Sequence, residues 1–192
     1  LSLTYDNASR VASRTDSEGH VVRFAYDNLD RITTVTYPDG TTEATTWDKL
    51  DVSATQDRLG RVTNYVHDAA RNLISVTDAL QRTTKYTYYP NGELQSMTDP
   101  QGHTTTWKRD LQSRLIAKQY ADGTSDRFQW ETYGGRLKSA TDAAGRTKRY
   151  TYTPDNLIAK IGYAGSETPT PAVTFSYDAE FPRVATVSYT HL

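Results

Sequence analysis

The chain has 192 residues, a net charge of −1 and no cysteine, with a sequence pI near 6.5 and a mean hydropathy of −0.72. Near neutrality, with Lys and Arg spread along the chain, excludes an electrostatic footprint for nucleic acid or acidic lipid. The missing thiols exclude disulfide staples and cysteine-held metal sites, and no apolar run approaches the length of a membrane span.

Hydrophobic residues make up 36% of the chain, a figure that alone suits disorder. Against this, aromatics reach 11% with 14 tyrosines, and Thr is the most frequent residue. These are strand formers, and they recur at regular intervals. An aromatic followed by an acid, or a residue in their place, stands at Tyr5-Asp6, Tyr26-Asp27, Trp47-Asp48, His67-Asp68, Tyr88-Tyr89, Arg109-Asp110, Trp130-Glu131, Tyr152-Thr153 and Tyr177-Asp178. The steps between them are 21, 21, 20, 21, 21, 21, 22 and 25 residues. Periods of this size indicate a repeat architecture that grows by units. The array fills residues 1–192 as about eight to nine repeats and leaves no room for a separate catalytic domain. Leu1-Ser2-Leu3-Thr4-Tyr5 already belong to a repeat, so no signal peptide is expected before them.

In chain order, each unit opens with a strand carrying two apolar or aromatic residues two apart, as at Leu3/Tyr5, Phe24/Tyr26, Tyr86/Tyr88, Phe128/Trp130, Tyr150/Tyr152 and Phe175/Tyr177. That spacing places both side chains on one face. The stretch from Arg82 to Asp110 shows the rest of the unit most clearly. Pro90-Asn91-Gly92 predicts a tight hairpin, Glu93 to Thr98 a second strand, and Asp99-Pro100-Gln101-Gly102 another turn. The Asp-x-x-Gly turn recurs at Asp16 to Gly19 and Asp142 to Gly145, with a shorter variant expected at Asp39-Gly40 and Asp122-Gly123. Gln81 replaces the glycine after Asp78, which predicts a weaker or differently shaped turn there. The apolar pairs Ile32/Val35, Leu73/Val76 and Leu94/Met97 lie three apart, against strict alternation. Either a bulge separates them or both faces of the sheet are partly covered. The fold class is therefore all-β: antiparallel hairpins, two strands per repeat, stabilised by neighbours because one hairpin cannot bury its own face.

The phrases YDNLDRITTVTYPDG from Tyr26, YYPNGELQSMTDPQGHTTTW from Tyr88 and YGGRLKSATDAAGRTKRYTY from Tyr133 resemble RHS repeats, also called YD repeats. Members include bacterial Rhs polymorphic toxins, wall-associated proteins, shell-forming subunits of insecticidal toxin complexes and animal teneurins. The resemblance implies a curved, spiralling sheet forming part of a hollow β-shell, and in the toxins that shell encloses a C-terminal toxic domain. The implied partners are the remaining repeats and a C-terminal cargo domain of the same polypeptide, with a secretion-apparatus protein as a further candidate. The implied location is outside a bacterium, secreted or on its surface. The chain departs from the family pattern in three places. Ser9, Asp30, Ser113 and Asn156 replace the glycine of Tyr-Asp-x-x-Gly-Arg, which is kept at Gly92 and Gly135. A longer loop is expected over 164–172. Thr190-His191-Leu192 stand where a turn is due and do not read as one, so the chain reads as a fragment cut inside an array, with end residues that need not be native.

No residue is singled out as catalytic, cofactor-binding or metal-binding. His20 and His103 share a slot after the turn glycine that other units fill with Thr41, Arg61, Arg146 or Ser166, and His67 fills an aromatic slot. Asp16, Asp78, Asp99 and Asp142 would form a ladder that could hold calcium, but each Asp is better placed to bond its own turn backbone. Arg10, Arg31, Arg61, Arg114, Arg136 and Arg183 follow turns. They read as packing across aromatic neighbours or pairing with Asp of the adjacent unit rather than as an anion-binding stripe. The residues expected to matter are structural: Tyr5, Tyr26, Trp47, Tyr88, Trp130, Tyr152 and Tyr177, with Gly19, Gly102 and Gly145. The expected function is a non-enzymatic shell segment that contains a cargo. The alternative is a surface-exposed module binding glycans or a receptor through exposed rings.

Overall fold

The structure is a computed structural model that describes residues 1–189, and every regular element in it is a β-strand. The predicted turn at Thr190-His191-Leu192 lies outside the described residues. Two compact units divide the chain, Leu1–Gly102 and His103–Leu192.

The first unit holds β1 (Ser2–Tyr5), β2 (Val11–Thr15), β3 (Val21–Tyr26), β4 (Ile32–Thr36), β5 (Thr42–Asp48), β6 (Asp51–Gln56), β7 (Val62–His67), β8 (Leu73–Thr77), β9 (Thr83–Tyr88) and β10 (Leu94–Thr98). Each pairs antiparallel with the next. The second unit repeats this plan with β11 (Thr104–Arg109), β12 (Leu115–Gln119), β13 (Ser125–Trp130), β14 (Leu137–Thr141), β15 (Thr147–Tyr152), β16 (Ile158–Ala164), β17 (Val173–Tyr177) and β18 (Val184–Tyr189). The predicted all-β array of antiparallel hairpins is what forms.

Each sheet is one layer thick. No hydrophobic side chain among the described residues is fully buried, and Ser139, at 8% exposure, is the single buried polar residue. The strands are instead half-covered by their neighbours, as in the alternating pattern of β3, where Val22, Phe24 and Tyr26 are shielded and Arg23 and Ala25 are not. The first and last strands, with a neighbour on one side only, are exposed along their whole length.

Pairing resolves the apolar residues three apart. Phe24 faces Val35 and Tyr26 faces Ile32, while Ala25 faces Thr34, so Thr33 is an extra residue opposite the bond between Ala25 and Tyr26. The same bulge places Tyr65 against Val76 and His67 against Leu73, and Tyr86 against Met97 and Tyr88 against Leu94. A one-residue bulge keeps both apolar residues on the ring-bearing face, where strict alternation would have sent one to each side. Every hairpin that begins with a ring-bearing strand carries this register shift. The intervening pairings run without it.

Most loops, on both margins of each unit, share one backbone form. In Asp27–Arg31 the Asp27 amide donates to the Arg31 carbonyl and the Asp30 amide to the Asp27 carbonyl, and Asp30 takes a φ of 61°. This is a type I turn closed by one left-handed residue, a standard three-residue hairpin connection. The tight hairpin expected at Pro90-Asn91-Gly92 takes this form, with positive φ at Gly92 alone. Two expectations are corrected by it. Tyr37–Thr41 and Tyr120–Thr124 are not shorter: they close with the same two bonds, the ring taking the first place and Asp39 or Asp122 moving to the third. The turn at Gln81 is neither weaker nor different in shape, since its amide donates to the Asp78 carbonyl at 2.9 Å and Gln81 adopts a φ of 63°. The closing bonds impose that conformation whatever side chain is present.

The imposition has a cost at Gln81, because a left-handed backbone is unfavourable by roughly 1–2 kcal/mol for most side chains. Glycine removes that strain and returns part of the gain as extra unfolded-state entropy. Gln81→Gly is therefore expected to stabilise the chain by about 0.5–1 kcal/mol in urea unfolding, with unchanged strand content.

Candidate functional site

The loop margin that follows the ring-bearing strands concentrates the chain's specific side-chain chemistry. It is built by the first residue of each loop, usually Asp, the last, usually Arg, and the ring that precedes the next loop. In Asp27–Arg31, the Asp27 carboxylate accepts from the Leu29 amide at 2.8 Å, the Arg31 amide at 3.1 Å and Arg31 Nε at 2.7 Å. The same three donors serve Asp110 and, on the opposite margin, Asp57. An aspartate whose side chain reaches the amides two and four residues on fixes the loop before any tertiary contact forms.

The arginine continues to the next repeat. Arg10 holds Asp6, lies over the ring of Tyr26 at 4.7 Å from its centroid, and donates to the Asp27 carbonyl and to Asp30 Oδ1. Arg31 lies 4.3 Å over Trp47 and donates to the Lys49 carbonyl at 2.7 Å. In the second unit Arg136 holds Glu131, covers Tyr152 at 4.9 Å and reaches Asn156 Oδ1, and Arg114 lies 5.5 Å from Trp130. A planar guanidinium can make these bonds edge-on while presenting its face to a ring, which a lysine ammonium cannot do. The rings are tethered as well, with or without an arginine above them. Tyr26, Tyr88, Tyr152 and Tyr177 donate their hydroxyls to the carbonyls of Val11, Leu73, Leu137 and Ile158, and Trp130 Nε1 donates to Leu115.

Variation along the margin follows substitution. Asn72 replaces arginine and reaches only its own Asp68. Arg71 instead turns back to Asp51 of the preceding loop at 2.7 Å. Glu131–Arg136 is one residue longer and closes between its two ends. Gly134 and Gly135 lie in this hairpin loop, with φ of 88° and 65°. Arg183 contacts Asp178 at 3.5 Å and lies over Phe181.

On the opposite margin, Arg61, Arg82 and Arg146 close their own loops onto Asp57, Asp78 and Asp142. His20 does the same with Asp16 at 3.1 Å, and His103 is also engaged. Arg58 reaches back over Tyr37 at 4.1 Å and bonds Asp39. Asp16, Asp78, Asp99 and Asp142 each accept from amides of their own turns. No group of three or more His, Asp or Glu stands close enough to hold a metal among the described residues. His67 packs in its aromatic slot opposite Leu73. The relay by which Arg10, Arg31 and Arg136 join successive loops combines the two expected contacts, a ring and a group of the adjacent unit. Its signal is an arginine four residues after Asp6 or Asp27, or five after Glu131, followed by a ring in the next unit.

The Arg31 side chain, then its amide and that of Leu29, hold the Asp27 carboxyl below its ordinary value. The matching groups act likewise on Asp57 and Asp110, and on Asp6 and Asp142 the backbone amide of the arginine acts most strongly. The unfolded chain takes up protons on these groups first, near pH 4. Their contribution is therefore complete above that pH and is lost as the pH falls toward the folded-state values. Thermal unfolding followed by circular dichroism is expected at progressively lower temperature below about pH 4, and Asp27→Asn should flatten that decline. Tyr152→Phe, which removes the bond to Leu137, is expected to cost about 1 kcal/mol. Tyr150→Phe, with no hydroxyl partner to lose, should be near neutral in the same urea titration.

Comparison with known proteins agrees with this geometry. Residues 5–42 and 88–125 match the RHS Repeat family. No curated protein is significantly similar in sequence. Two crystal structures, of TcdB2-TccC3-TEV and of TcdB2-TccC3 without its hypervariable C-terminal region, share the fold with TM-scores of 0.72 and 0.70. Each is 15% identical over 97% of this chain, which spans 11% of the solved chain. Residues 5–42 and 88–125 thus carry the RHS repeat, and the same ring, loop and bulge recur in both units.

Proposed function

We propose that the chain is a non-catalytic wall segment of a hollow β-shell that encloses a C-terminal toxin or effector domain of the same polypeptide and is exported from a bacterium. The observation that carries this reading is the margin itself. Each loop is closed internally by Asp, and several are fastened to the next by Arg, so side-chain binding capacity is spent on joining repeats. A wall needs many equivalent joints, and the fold likeness to much longer chains supports a segment of a larger structure. The rival reading, a repeated glycan or receptor module, needs free ring faces along this margin. Tyr26, Trp47 and Tyr152 have theirs covered by arginine.

Two measurements test the proposal. In the natural full-length polypeptide, the segment following the array is expected to resist protease until the array is unfolded. Digestion at the rate of the same segment in isolation would overturn containment. In this chain, the indoles of Trp47, Trp107 and Trp130 are half-buried, and acrylamide is expected to quench their fluorescence several-fold less than free tryptophan. Quenching as efficient as that of the free amino acid would instead favour the exposed-ring module.

A further inference from the structure

The two faces of the second unit differ in charge. The chain as a whole is near neutral, yet every acid of residues 103–189 stands in a loop except Asp126. By strand alternation Asp126 shares the ring-bearing face with Phe128 and Trp130. Among the described residues, the opposite face of β11–β18 therefore carries no acid from its strands. It does carry Lys108, Arg127, Arg149 and Lys160, all exposed.

Strand pairing sets these cations in one stripe. Lys108 faces Ala117 and Ala117 faces Arg127, so the two lie in one row two strands apart, about 10 Å at ordinary strand spacing. Arg127 faces Thr141, Thr141 faces Thr147, and Arg149 follows two residues later. Arg149 faces Gly162, and Lys160 stands two residues before that glycine. Arg149 and Lys160 are thus diagonal neighbours on adjacent strands, about 7–8 Å apart at the backbone.

The loop arginines of this unit, Arg114, Arg136 and Arg146, are each matched by an acid. Among the described residues, none of the four stripe cations makes an ion pair. Arg127 donates to the Ser125 hydroxyl at 3.2 Å. Like charges that share a face without counter-charges repel one another, and an anion relieves that repulsion. The same face has no ring in its rows, because the aromatic side chains alternate to the other side. A nucleic-acid strand would gain charge there but no stacking platform. What surrounds the cations is hydroxyl, from Thr106, Ser125, Thr141, Thr147 and Thr151. Such groups bond carboxylates and peptide groups alike.

We infer that this stripe is the docking surface for an acidic polypeptide segment of a partner protein, lying across β11–β16. Five strand-to-strand steps span about 24 Å, the reach of about seven or eight extended residues. Carboxylates recurring along that segment meet the cations, and its backbone meets the hydroxyls. The inference stands apart from the shell reading.

The test titrates the full chain at low salt with three probes: a short end-blocked peptide carrying glutamate at alternate positions, its glutamine counterpart, and an oligothymidylate of the same net charge. Backbone amide NMR shifts in β13 and β15 report binding. The glutamate peptide is expected to saturate at about 1 mM or tighter, and to weaken as salt is raised. The glutamine peptide should not bind, and the oligothymidylate should bind several-fold more weakly. Arg127→Gln combined with Arg149→Gln removes two exposed, unpaired charges, so the variant should fold normally and bind roughly tenfold more weakly. Lys148→Gln removes the same charge one residue from Arg149 but on the ring-bearing face, and should bind as the parent does. The inference is overturned if the glutamate peptide gives no saturable shift or if either other probe binds as tightly. It is equally overturned if Lys148→Gln weakens binding as much as the double variant, since net charge alone would then account for it.

Discussion

A sheet one layer thick has no interior in which to hide apolar surface, and this constraint governs the rest of the molecule. The hydrophobic contribution that stabilises a globular domain is available here only laterally, as each strand shields half of its neighbour. The repeat must therefore hold its register without a core. Two local devices do so. The bulge keeps Ile32 and Val35 on the same face as Phe24 and Tyr26, and the aspartate-closed loop sets the turn from within its own five residues. The arginine relay adds what neither supplies, a side-chain connection from one hairpin to the next. Its parts are individually modest, as exposed ion pairs usually are. Their effect depends on one guanidinium serving an acid, a ring and a carbonyl together.

Much of this was legible in the residues. The period, the paired rings two apart and the Asp-to-Gly turns identified the strands and their faces, because side-chain alternation in a strand is a geometric necessity. The long loop before β17 was legible from its proline and glycine content. What escaped was conformational. Gln81 and the Asp39-Gly40 turn depart from the repeat only in the glycine and aspartate preferences of single positions. The backbone bonds from the first to the last residue of the loop override those preferences, so Gln81, Ser113 and Asn156 adopt the left-handed region as Gly102 does. The spacing of Ile32 from Val35 likewise admitted two explanations until strand pairing chose the bulge. The arginine contacts were legible as a class but not as partners, since a residue that follows a turn can reach its own acid, the next ring or the previous loop. Arg10 makes the first two contacts and Arg71 the last.

Regularity and its interruption divide the functional reading. Where the pattern is kept, side chains are consumed by joints between repeats, which suits containment. Where it is broken, at Ala140 and the extended β16, Phe128, Tyr150 and Tyr163 line a groove. The slot of Ala140 is filled by Val35, Val76 and Met97 in some repeats and by Arg14, Thr55 and Lys118 in others, so the array varies its face without altering its backbone.

Asn72 is the other interruption, and its consequence is mechanical. On one side of it, Arg71 fastens its loop backward to Asp51. On the other, Asn72 lends no guanidinium to Tyr88, and β8 and β9 are joined by their backbone ladder, the Tyr88 hydroxyl and a 2.9 Å bond between the Thr77 and Thr83 hydroxyls. Tension applied along the row of hairpins would there fall on the ladder and a few hydroxyls, with no relayed guanidinium to share it.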